Sequence, residues 1–68
     1  MSYRFKSGDD YLMSLTVDGY GVSTQSSFRK EDALTVEGKE VAQVLLAIAQ
    51  EDEDSYRLVR VRDVPVEV

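Results

Sequence analysis

The chain has no cysteine and no histidine, and only one proline in 68 residues. Without cysteine it can build neither a disulfide framework nor a thiolate metal site. Stability must then come from packing or from a second copy of the chain. Without histidine it lacks the commonest general base and the usual imidazole metal ligand. Serine, threonine, tyrosine, lysine and paired carboxylates remain for catalysis, and no serine carries the signature of an activating base. Glycines 8, 19, 21 and 38 fit no phosphate-cradling loop. The expectation is therefore a non-enzyme with no cofactor, no metal site and no catalytic residue.

Long apolar runs are missing too. None reaches the roughly 18 residues of a membrane span. The opening Met-Ser-Tyr-Arg-Phe-Lys lacks the apolar stretch of a signal peptide. A soluble, cytoplasmic protein is expected, with no membrane partner. Basic charge is in the minority, with eight Lys and Arg against thirteen Asp and Glu, for a net charge of −5. That sign repels phosphate backbones and makes nucleic acid an unlikely partner.

What is present predicts one α+β domain over residues 1–68. Strands are predicted over about 2–6, 11–17, 20–28 and 55–61, and a helix over about 36–51. The order β-β-β-α-β makes a small two-layer sandwich, an antiparallel-rich sheet packed on one helix. Asp18-Gly19 reads as the centre of a type I′ hairpin turn. That places Val17 opposite Tyr20 and Leu15 opposite Val22. Tyr11, Met13, Leu15, Val17, Tyr20 and Val22 then share one face. Ser14, Thr16, Ser23 and Gln25 fall on the other, with Leu12 and Gly21, an uncharged face left over for a partner. Residues 29–35 read as a polar connector, with one helical turn begun by Ser27 as the alternative and Thr35 as the N-cap of the helix that follows.

On the helix, Val41, Val44, Leu45 and Ile48 follow the i, i+3, i+4, i+7 spacing of a buried stripe. Leu46 lies away from that stripe and marks a candidate partner contact. In the last strand Val59 and Val61 are expected inside, with Tyr56, Leu58, Arg60 and Arg62 opposite. The predicted core is Phe5, Met13, Leu15, Val17, Val22, Val41, Val44, Leu45, Ile48, Val59 and Val61.

Two charged features could carry function. Glu51, Asp52, Glu53 and Asp54 form an acidic run after the helix. It reads as a solvated helix end, a hard-cation site or a mimic of phosphate for a basic partner. Its spacing fails the twelve-residue calcium loop. Arg57, Arg60 and Arg62, beside Tyr56, make a local basic stripe that could grip phosphate or pair with nearby acids.

Together these point to a small acidic binding protein that docks on a larger protein and modulates it. Its sharpest version is an inhibitor of a nucleic-acid-handling protein. Direct nucleic-acid binding through Tyr56, Arg57, Arg60 and Arg62 is one alternative. Self-assembly is the other, as a homodimer joined through an edge strand at 2–6 or 55–61.

Overall fold

The computed structural model describes residues 1–60 and 64–66. Val61, Arg62, Asp63, Glu67 and Val68 lie outside the described residues, and with them the predictions made for Val61 and Arg62. The elements are β1 (Ser2–Ser7), β2 (Asp10–Asp18), β3 (Gly21–Ser27), a 3-10 turn (Lys30–Asp32), β4 (Val36–Glu37), α1 (Lys39–Gln50), β5 (Arg57–Arg60) and β6 (Val64–Pro65). Every strand pairing is antiparallel, and the sheet runs β3-β2-β1-β5-β6 with β4 also on β1. This is the expected two-layer α+β architecture. The first three strands form a meander. Helix α1 then carries the chain back so that β5 joins the far side of β1. Strand 2–6 is therefore central rather than an edge, and β5 is flanked by β6. The lone proline sits in β6, where no further strand needs its missing N–H.

The β2–β3 hairpin forms, but two residues out of the predicted register. Val17 pairs with Val22, Leu15 with Thr24 and Asp18 with Gly21. Gly19 and Tyr20 are the turn residues, so Asp18-Gly19 is not a type I′ centre. The reason is local: Asp18 Oδ1 accepts the Tyr20 N–H at 2.8 Å, a bond from side chain to backbone two residues on. The left-handed position moves to Gly21, at φ +121°.

A β-bulge between Leu12 and Ser14 adds a second departure. It breaks the alternation of β2, so Leu12 turns into the core with Leu15. Met13, Val17 and Tyr20, expected on the buried face, are exposed.

The helix is rotated relative to the prediction. It buries Ala42, Leu46 and Ala49, with Leu45 half-buried beside them, and leaves Val41 55% and Val44 61% exposed. Residues 42, 45, 46 and 49 satisfy the same i, i+3, i+4, i+7 spacing as 41, 44, 45 and 48, one residue and roughly 100° away. Volume decides between them. The sheet already supplies Tyr3, Phe5, Leu12 and Leu58, with Tyr56 just ahead of β5. Two alanines let the helix backbone settle close onto those large side chains. Leu46 is thus a core residue and not a partner contact.

Strand β5 is inverted in the same way. Leu58 pairs with Phe5 in the core, while Val59 pairs with Arg4 on the opposite face, where it is also buried. Thr35 does not cap the helix. Gly38 holds that position at φ +94°, and its N–H donates to the Met1 carbonyl at 3.1 Å while β4 pairs with Ser2 and Tyr3. The helix therefore starts three residues later than predicted.

Candidate functional site

The helix C-terminus, the β1–β2 turn and the middle of β3 meet around an open cavity of about 300 Å³. It is lined by Ser7, Asp10, Thr24, Ser26, Asp52, Glu53 and Tyr56. Each is placed by an element described above. Ser7 ends β1 and pairs with Asp10 at the start of β2. Thr24 and Ser26 alternate on β3 on the helix-bearing side, because they share a face with Leu12 and Leu15. Asp52 and Glu53 follow the last turn of α1, and their N–H groups donate to the Ala49 carbonyl at 3.1 Å each.

Hydrogen bonds hold this rim in place. Asp52 Oδ2 accepts from both the Thr24 hydroxyl at 2.6 Å and the Thr24 N–H at 3.1 Å. The Tyr56 hydroxyl donates to Thr24 Oγ1 at 3.4 Å. Glu53 Oε1 accepts from the Ser55 hydroxyl at 3.0 Å, and Ser55 in turn bonds Ser7. Gln50 donates to the Tyr56 carbonyl at 2.9 Å and so ties the helix end to the root of β5.

Asp10, Asp52 and Glu53 make this wall rich in acceptors and negatively charged. The adjoining helix C-terminus adds the negative end of its dipole. Such a wall suits an ammonium or guanidinium group, which brings donors and positive charge. The Thr24 hydroxyl is spent on the Asp52 carboxylate, and the hydroxyls of Ser7 and Ser26 add donors and acceptors to the same rim. Among the described residues no group of Asp and Glu is arranged to hold a metal ion.

The acidic run is divided by the fold. Asp52 and Glu53 line the cavity. Glu51 closes the helix in αR conformation, and the Asp54 carbonyl accepts from Arg57 Nη1 at 2.8 Å. The described members of the basic stripe are separated, and Arg62 lies outside the described residues. Tyr56 is buried in the core, and Arg57 and Arg60 point to opposite faces of β5. The uncharged face does assemble: Ser14 pairs with Gln25 and Thr16 with Ser23 on the side of the sheet away from α1, and the Ser14 hydroxyl bonds Gln25 at 3.3 Å. Arg4 lies on that side too, and its Nε and Nη1 are buried without a hydrogen-bond partner.

Sequence reasoning missed Ser7, Asp10, Thr24 and Ser26 as neighbours of the acidic run. The segment Ser7-Gly8-Asp9-Asp10 announces a turn. Only the return of β5 alongside β1 brings it to the helix end. No protein-family model, no curated protein and no solved structure matches this chain. Among the described residues no helix is long and apolar enough to cross a membrane.

Proposed function

We propose that this protein acts without catalysis, as a small acidic module that docks on a larger protein and modulates it. The observation that carries this reading is the acid-and-hydroxyl cavity between α1, β3 and the β1–β2 turn. Asp10, Asp52 and Glu53 face it, and the net charge of −5 extends the same preference over the whole surface. A lysine or arginine from a basic partner meets acceptors there without having to reorganise them. Proteins that handle nucleic acid carry such basic surfaces, so a modulator or inhibitor of one of them is the specific form proposed.

The test is affinity purification of the tagged protein from its native cell at low salt, followed by mass spectrometry. The same is done with Asp10→Asn/Glu53→Gln, which removes two charges and keeps both shapes. A basic protein recovered with the wild type and lost with the double variant supports the reading. Recovery of no basic or nucleic-acid-associated protein sinks it.

A further inference from the structure

Helix α1 buries two alanines with Leu46 and shows two valines. Val41 and Val44 are exposed, and Ile48 is half-buried. On the helical wheel, Val41, Val44, Leu45 and Ile48 form a stripe centred roughly 115° from the buried Ala42–Leu46–Ala49 line. Valine is a weaker helix former than alanine, so exposed valines do nothing for the helix itself.

Two hydrogen bonds fix which way the stripe looks. Gln50, on the other flank, bonds the Tyr56 carbonyl beside β5. Asp52, which continues the valine flank past the helix end, bonds Thr24 of β3. The stripe therefore looks toward the hairpin. There, Val17 and Val22 pair with each other on the helix-bearing face, with Val17 62% exposed. The valine flank of α1 is thus an apolar strip on the side of the helix nearer the hairpin, and Val17 and Val22 lie on the same side of the sheet.

Charge selects what covers it. Glu51, Asp52 and Glu53 stand at the end of the helix, so acids border the strip there, while at its start Glu37 and Glu40 are offset by the Met1 amine and Lys39. A second copy, at −5, would bring the same acids against them. A cationic partner removes that repulsion. We infer that the Val41–Val44–Ile48 flank of α1, together with Val17 and Val22, seats an amphipathic helix with apolar residues on one side and lysine or arginine at its margins. One of those cations enters the Asp10–Asp52–Glu53 cavity. This rests on the docking role proposed above and names the chemistry of the partner segment. An apolar helical face laid on an apolar strip, with charges at the rim, is a recurrent mode of recognition.

The probe is a peptide of about 18 residues with leucine and lysine at helical spacing, compared with a scrambled isomer of the same composition. Binding is read by fluorescence anisotropy at about 150 mM salt, where long-range attraction is screened. The wild type is expected to prefer the amphipathic isomer by about tenfold or more. Val41→Ser/Val44→Ser leaves the charge unchanged and should erase that preference. Val44→Lys should lower binding further through repulsion. Circular dichroism confirms that each variant is folded.

Asp10→Asn/Glu53→Gln should weaken both isomers together. Unchanged binding of both isomers there, with the preference kept, would count against the cavity and not against the flank. Equal binding of the two isomers by the wild type overturns the inference, as does a preference that survives the valine changes. So does a dimer, seen by sedimentation, that the valine changes dissolve, because the occupant would then be a second copy.

Discussion

The two sides of helix α1 divide their residues against expectation. One presents Ala42 and Ala49, both fully buried, around Leu46. The other presents Val41 and Val44, both more than half exposed. Transfer energy alone would put the valines inside, since a buried valine gains about 1.5 kcal/mol or more over an exposed one. The fold chooses otherwise because the sheet brings the bulk. Phe5, Leu12 and Leu58 are among the least accessible side chains in the molecule, and they leave space for a helix that comes close. What a helix buries is therefore set by the shape of the surface it meets.

The strongest way to break this comparison is to empty the inner side. Leu46→Ala should cost about 2–5 kcal/mol, on the scale of the whole stability of ~3–5 kcal/mol usual for so small a domain. Urea unfolding followed by circular dichroism should show the variant largely unfolded. A loss below about 1 kcal/mol would mean that Leu46 is not a core residue. Filling the inner side is the next test. Ala42→Leu should push the helix off the sheet and cost about 1–3 kcal/mol. Unchanged stability would point to slack between helix and sheet.

The outer side should respond far less. Val41→Ser and Val44→Ser are each expected to change stability by no more than about 0.5 kcal/mol. If either one matched the loss from Leu46→Ala, the helix would be rotated from the orientation described. The smallest effect is electrostatic and lies at the entry to the helix. The Glu37 carboxylate accepts hydrogen bonds from the Met1 amine and the Ser2 hydroxyl, and these, with the charge of the amine, hold its pKa below the usual value. A lowered folded-state pKa stabilises above the unfolded value, and the gain is lost as pH falls through the folded one. Glu37→Gln should thus lower Tm slightly at neutral pH, and the gap to the wild type should close in acid. A gap that stays constant with pH would show that the carboxylate charge plays no part.

The sequence made the architecture legible, because it depends on patterns that survive small errors of phase. A hairpin, a twelve-residue helix and a late strand yield the same two layers whichever way each is rotated. Phase itself was not legible. Valines 41 and 44 and alanines 42 and 49 meet the same helical spacing, and Val59 and Leu58 fit a strand equally well in either orientation. The bulge at Leu12–Ser14 has no glycine to announce it. Of the candidate site, Asp52 and Glu53 were named from the acidic run, and the uncharged hairpin face was placed on the correct side of the sheet. Thr24 and Asp10 were out of reach, since their meeting with the helix end depends on strand order and not on any local signal.

The bond between Asp52 and Thr24 has a consequence for how this protein behaves in concentrated solution. Strand β3 lies at the edge of the sheet and reads Gly-Val-Ser-Thr-Gln-Ser-Ser, with no charge and no proline. Such a margin invites the addition of strand after strand, as in a growing fibre. Thr24 points its N–H out of the ladder, and a carboxylate already occupies it. An arriving strand would have to displace that anion and forfeit a backbone bond midway along the edge. The end of the helix thus serves as a stopper on polymer growth, and the chain carries its own guard against becoming a template.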